Sequence, residues 1–108
     1  MAFDAYNCSL ALLRALQPLV RRLAGHDPKL ADQLRRAATS TVLNVAEANR
    51  RVDRDRKNRF RIALGSAAES AACLDVAVIL GYLVDADVAE HLELADRVRA
   101  MTYKLATK

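Results

Sequence analysis

Residues 60–80 have the sequence FRIALGSAAESAACLDVAVIL. Apolar and small residues recur there at steps of three and four, which is the period of an α-helix. They form two lines, Phe60-Leu64-Ala67-Ala71-Leu74-Val78 and Ile62-Ser66-Cys73-Val76-Leu80. Two adjacent lines make a wide apolar face. The segment is therefore predicted to be a helix that contacts more than one neighbour.

Turn residues divide the rest of the chain into three further predicted helices. The first helix is predicted from about Asp4 to Ala24, and the second from Pro28 to near Asn49, with Asp27 as its N-cap. The helix already described is predicted to be capped by Asp53 or Asp55 and to end around residues 81–84. The last helix is predicted to start with a capping box of Asp87 and Glu90. Four helices with short connections predict an all-α, antiparallel up-down-up-down four-helix bundle.

Length and composition limit the classes of protein that fit this sequence. The 108 residues are predicted to form a single domain, 1–108, which is small enough for partner subunits to add stability. Aromatic residues make up 5% of the chain, which disfavours a large aromatic ligand pocket. The first seven residues carry an acid and no base, and we expect no apolar run to approach the roughly 18 residues of a membrane span. Secretion and membrane insertion are therefore disfavoured, and a cytoplasmic location is expected.

Charge is strongly segregated along the sequence. The net charge is +4, but residues 50–61 contain seven bases and two acids, whereas residues 62–96 contain seven acids and no Lys or Arg. In an antiparallel bundle, the turn between the second and third helices lies at the same end as the last turn of the fourth helix. The bases are therefore predicted to gather at one pole, and the acids at the other.

Two interpretations of the basic pole remain open. Cations near helix C-termini interact favourably with the helix dipole, which would explain Arg50, Arg51, Lys104 and Lys108 without any ligand. That explanation fails for Arg54, Arg56 and Lys57, because cations in the first turns of a helix oppose its dipole. We therefore expect phosphate contacts or an acidic protein partner at this pole. The candidate nucleic-acid-binding residues are Arg50, Arg51, Arg54, Arg56, Lys57, Arg59, Arg61 and Lys104.

Polar residues on inward faces are expected to be structural. Ser40, Asn44 and Glu47 share one helical row, and Ser66 and Glu69 lie on another. A hydrogen-bond network that fixes helix register, or an interface between subunits, explains them better than catalysis does. His26 and His91 have no second His or Cys nearby in sequence, so no metal site is predicted. The sequence also lacks a phosphate-binding glycine loop and a nucleophile elbow, so neither enzymatic activity, nor a cofactor, nor a small-molecule substrate is expected.

Two blocks of sequence resemble a known family. The block from Gln33 to Ser40, continuing to Asn44-Val45-Ala46-Glu47, and the block from Phe60 to Leu83 are similar to the four-helix-bundle proteins encoded in 23S ribosomal RNA intervening sequences. The accessory protein of diversity-generating retroelements is a more distant likeness. The resemblance implies a small cytoplasmic bacterial protein, commonly a ring of five subunits, with no established enzymatic activity.

The sequence thus predicts a non-catalytic homo-oligomer, a pentamer according to the resemblance. Its basic pole would bind RNA or DNA through phosphates, and a ring would repeat that weak contact on one rim. Small residues in the third helix, such as Ala63, Gly65 and Ala72, permit close helix approach and agree with such assembly. The alternative function is an adaptor or scaffold whose basic rim binds an acidic protein.

Overall fold

The chain forms four α-helices arranged as an antiparallel bundle. A computed structural model describes residues 2–108, so Met1, the first residue of the predicted domain, lies outside the described residues. The helices are α1 (Ala2–Ala24), α2 (Pro28–Ala48), α3 (Asp53–Ile79) and α4 (Asp85–Thr107). Both α1 and α3 pack against α2 and α4, which leaves α1 and α3 on a diagonal. The predicted all-α four-helix bundle is confirmed, and no strand occurs in residues 2–108.

The start of α2 follows the predicted pattern. Asp27 is the N-cap, and its Oδ1 accepts a hydrogen bond from the Leu30 backbone N–H at 3.0 Å. Pro28 occupies the first turn, where its missing N–H costs no helical hydrogen bond. The turn between α1 and α2 is therefore encoded locally.

The starts of α3 and α4 differ from the predictions. Neither Asp53 nor Asp55 is the N-cap of α3, because Val52 holds that position and no side chain caps the helix. Asp53 is instead the first residue of α3, with φ of 54°. In α4 the N-cap is Val84, three positions before the predicted N-cap Asp87, and the Asp87 carboxylate accepts a hydrogen bond from the Val84 backbone N–H at 2.9 Å. An aspartate can cap a helix from several nearby positions, so spacing alone did not fix these boundaries.

The two apolar lines of α3 have different surroundings. Most of the first line is buried in the bundle, and Phe60 and Leu74 have no exposed surface. In the second line, Cys73 is buried, but Ile62, Val76 and Leu80 are 41%, 40% and 53% exposed. The wide apolar face therefore extends from the core of one subunit onto its surface.

The apolar character of α3 also corrects the expectation about membrane spans. An 18-residue window within α3 reaches a mean hydropathy of 1.6, and 39% of that window is buried in the bundle. By length and composition alone, this helix could cross a membrane. Such a window is weak evidence of a span, since the central helix of a helical bundle also fulfils it.

His91 and His26 have different surroundings. Its ring is half-buried, with Nε2 at 3.0 Å from the Ala15 carbonyl oxygen of α1, whereas His26 is exposed and stacks on Tyr82. The two cysteines are free; Cys73 is buried and Cys8 is partly buried. Burial raises the pKa of both the Cys8 and Cys73 thiols.

Candidate nucleic-acid interface

The basic residues gather at the end of the bundle where α2 meets α3 and α4 ends. We call this end the basic pole. A small core cluster there contains Ala5, Val45, Phe60 and Ala106, one residue from each helix. Because Arg54 precedes Phe60 by six residues and Lys104 precedes Ala106 by two, both cations lie at this end. Chain segments about 50 residues apart in sequence thus supply one positively charged surface.

Two of the predicted binding residues are engaged in the junction between α2 and α3. The Arg56 guanidinium lies 5.0 Å from the centre of the Phe60 ring and donates to the Ala48 carbonyl oxygen at 3.3 Å. Arg59 donates to the Asn44 side-chain oxygen at 3.4 Å. Both side chains are half-buried. Their charge therefore serves first to join the two helices, since carbonyls at a helix end lack an intrahelical partner.

Arg51 is paired with a carboxylate. Its Nη2 and Nε atoms donate to Glu47 Oε1 at 2.6 and 2.9 Å. This hydrogen bond lowers the pKa of Glu47 and raises that of Arg51. The neighbouring Arg50 is exposed, and its backbone N–H bonds the Glu47 carbonyl oxygen at 3.1 Å. Of the two arginines in this turn, only Arg50 offers an uncompensated charge.

Three cations on α3 form the most accessible part of the pole. Arg54, Lys57 and Arg61 are exposed and lie three and four residues apart, so they share one side of the helix. We call them the cation row; it spans about 10 Å along the axis. Together with Asp53 they line an open groove of about 460 Å³. Among residues 2–108, no carboxylate forms an ion pair with any of the three.

Lys104 lies at the same pole but in a different groove. It lines a space of about 290 Å³ with Asp4, Met101, Leu105 and Lys108. The carboxylate of Asp4 therefore lies in the same groove as the two lysines of α4. The basic pole thus has a purely cationic row on α3 and a mixed-charge groove between α1 and α4.

The predicted polar network is present in part. Ser40 of α2 and Ser66 of α3 share a hydrogen bond of 2.8 Å between their hydroxyls, and Asn44 Nδ2 donates to Ser40 Oγ at 3.1 Å. Glu47 is paired with arginine instead, and Glu69 Oε2 accepts from Gln33 Nε2 at 3.5 Å, apart from the hydroxyl pair. The network therefore joins α2 to α3 through hydroxyl and amide groups, and Arg59 adds a charged donor to it at Asn44. No cluster of three or more His, Cys, Asp or Glu side chains suited to a metal ion occurs in the described part of the chain.

The opposite pole holds the acidic start of α4, and one of its acids is paired with a base of α1. Arg22 of α1 makes two hydrogen bonds to the Asp87 carboxylate, at 3.2 and 3.3 Å. The Val84 backbone N–H and then Arg22 lower the pKa of Asp87. The start of α4 thus neutralises Arg22 at this pole.

An unpaired apolar face runs from the basic pole along the outside of α3. We call it the outer stripe. Its members alternate at steps of three and four and are all exposed: Ile62, Gly65, Glu69, Ala72, Val76 and Ile79. Ile79 is 81% exposed, and a Cβ added to Gly65 would meet no atom within 4 Å. This heptad spacing is the pattern that packs against another helix.

Comparisons with known proteins agree with this fold. The sequence profile of the 23S rRNA-intervening sequence protein family matches residues 2–104. A crystal structure from Bacteroides thetaiotaomicron, described as a protein of unknown function from the S23 ribosomal protein family, is similar with a TM-score of 0.86. It shares 20% sequence identity, and the alignment covers 96% of this chain and 99% of that one. A search of curated proteins gave no significant match.

Proposed function

Because this chain belongs to the 23S rRNA-intervening sequence protein family, we propose that it is a non-catalytic, self-associating protein that binds nucleic acid through phosphate contacts. The observation that carries this proposal is the cation row, Arg54, Lys57 and Arg61, which lies exposed on one side of α3 without a carboxylate partner. The bacterial cytoplasm is the proposed location.

Electrostatics near the start of α3 favour an anionic ligand. The N-terminal end of a helix carries partial positive charge, so cations placed there repel the helix dipole. Asp53 is the one carboxylate among the described residues that line this groove, and one carboxylate does not balance three cations. A phosphate backbone in the groove would offset both the row and the dipole.

The chemistry of the pole favours backbone contacts over base recognition. Phe60, the aromatic residue in this part of α3, is completely buried, and the Arg56 guanidinium covers its ring. It therefore offers no surface for base stacking. Lysine and arginine contacts to phosphate position a nucleic acid without reading its sequence. Binding is therefore proposed to be salt-sensitive and largely independent of sequence.

The outer stripe of α3 supports self-association. It combines exposed apolar side chains with Gly65 and Ala72, which let a neighbouring helix approach closely. A closed ring with aligned poles would repeat the cation row on one rim, and weak contacts would become multivalent. A homo-pentamer is the proposed assembly.

Titration of labelled single-stranded RNA and duplex DNA at several salt concentrations tests the nucleic-acid part. We expect a steep loss of affinity with salt, and a flatter slope when Arg54, Lys57 and Arg61 are all replaced by Ala. Each lost phosphate contact reduces the slope by about 0.7 for single strands and 0.9 for duplex DNA. Arg51→Ala is the matched control, because this base at the same pole is already paired with Glu47.

Two results would change the proposal. Absence of micromolar binding at low salt would remove the nucleic-acid function and favour the adaptor that binds an acidic protein. Light scattering that gives a stable monomer would remove the self-association, and with it the ring.

A further inference from the structure

We propose that the outer stripe of one subunit docks into a groove between α1 and α2 of a second copy. This inference rests on the proposed self-association and names the two surfaces that meet. The interface is heterologous, because two different surfaces form it. In an open chain of subunits, each end then keeps one unoccupied surface, and only a closed ring occupies them all.

The groove is suited to receive the outer stripe. It has a volume of about 460 Å³ and is lined by Leu10, Leu13, Arg14, Gln17, Arg35 and Thr39. The leucines supply apolar contact area, and the two exposed arginines supply positive charge. Since α1 lies diagonally across the bundle from α3, the groove and the stripe are on different sides of one subunit.

The charges of the two surfaces are complementary. No Lys or Arg occurs in residues 62–96, and the exposed acids of α3 in that range are Glu69 and Asp75. Within its own subunit, Glu69 accepts one long hydrogen bond of 3.5 Å from Gln33 and lines an open groove with Lys29 and Arg36, neither of which forms an ion pair with it in the described residues. Arg35 is paired with Asp32, but both side chains are about half exposed, so solvent weakens that pair and Arg35 can exchange partners. Glu69 is therefore suited to meet a guanidinium of the groove.

The heights of these charges along the bundle agree. Ala5 of α1 and Phe60 of α3 belong to the same small core cluster, and the two helices run in the same direction. Arg14 lies nine residues beyond Ala5, and Glu69 lies nine residues beyond Phe60, about 13.5 Å along each helix. Two subunits standing side by side with aligned poles therefore bring Glu69 of one level with Arg14 of the other.

An isologous pairing of two outer stripes fits less well. Glu69 lies near the middle of the stripe, so a two-fold axis through that region would place two Glu69 carboxylates close together. Like charges in an apolar contact are unfavourable because each loses its water without gaining a counter-charge. The heterologous arrangement replaces this repulsion with an attraction.

Charge reversal on each surface tests the proposal by the mass of the assemblies in analytical ultracentrifugation. Glu69→Arg disables the stripe, and Arg14→Glu with Arg35→Glu disables the groove. Each variant alone is expected to be a monomer where the unmodified chain assembles. An equimolar mixture is expected to assemble again, because the intact stripe of one variant meets the intact groove of the other, and the two reversed surfaces are also complementary in charge. Affinity in the mixture should exceed that of either variant alone by at least tenfold.

Further variants keep the test independent of charge and of folding. Gly65→Leu should also disable the stripe, because a bulky side chain there blocks a neighbouring helix, while its Cβ meets no atom of its own subunit within 4 Å. Circular dichroism of every variant should show an unchanged helical bundle. The mixture itself is a second control, since a misfolded variant would not regain a partner.

Different failures have different meanings. If the groove variant keeps the assembly state of the unmodified chain while the stripe variant is monomeric, the heterologous docking is wrong and self-association stands. If the unmodified chain is itself monomeric, both the docking and the self-association are wrong, while the nucleic-acid proposal is unaffected. If the monomer binds neutral phospholipid vesicles through α3, the stripe contacts lipid and the docking is again overturned.

Discussion

Replacement of Gly65 by Ala should stabilise the folded subunit. Glycine inside a helix costs about 1 kcal/mol relative to alanine, because its unfolded backbone has more freedom. The added Cβ would meet no atom within 4 Å, so no steric cost opposes the gain. We therefore expect the free energy of unfolding to rise by about 0.5–1 kcal/mol, which corresponds to roughly 2–4 °C in Tm for a domain of this size.

The measurement is urea unfolding followed by circular dichroism in the Glu69→Arg background. That background is expected to be monomeric, so subunit association does not contribute to the stability measured. Gly81→Ala is the matched control. A Cβ at Gly81 also meets no atom within 4 Å, but its φ of 80° favours glycine, and alanine there should cost about 1–2 kcal/mol. A loss of stability in Gly65→Ala would refute the argument that the outer stripe is open within one subunit.

Three further outcomes are expected. Phe60→Ala removes a completely buried ring and should lower the free energy of unfolding by about 3–5 kcal/mol; a loss below about 1 kcal/mol in urea unfolding would contradict its role in the core. Asp87→Asn should destabilise the bundle, with its whole effect present above about pH 5, because folding lowers the pKa of Asp87. The difference in unfolding free energy between the variant and the unmodified chain should shrink as the pH falls below about 4, and a difference that does not depend on pH would contradict this. A double-mutant cycle of Ser40→Ala and Ser66→Ala should give a coupling of about 0.5–1 kcal/mol for their hydroxyl pair, and additive losses would show that the hydrogen bond contributes nothing.

The bundle could be predicted because its signals are local and repeated. Apolar spacing identified the four helices, and Asp27-Pro28 fixed the start of α2. The starts of α3 and α4 could not be fixed from spacing. The chain offers several aspartates within a few residues, and backbone geometry decides whether any of them caps the helix. Asp53, for example, has a left-handed φ and is the first residue of α3, not its cap.

The roles of individual cations depend on contacts between helices. Segregation of charge in the sequence indicated a basic pole. It did not indicate that Arg56 covers the Phe60 ring or that Arg59 bonds Asn44, because each contact needs α2 beside α3. The ion pair of Glu47 and Arg51, by contrast, joins residues four apart in sequence, a spacing that permits such a pair. Sequence therefore located the charged region, and the fold divided it into structural and accessible cations.

Backbone amide chemical shifts, mapped during titration with a short single-stranded RNA at low salt, show directly whether the cation row binds phosphate. We expect the largest shifts at residues 53–61, centred on Arg54, Lys57 and Arg61, and we expect added salt to reverse them. Shifts confined to the acidic pole around residues 80–90, or no shifts at RNA concentrations well above those of the protein, would contradict it.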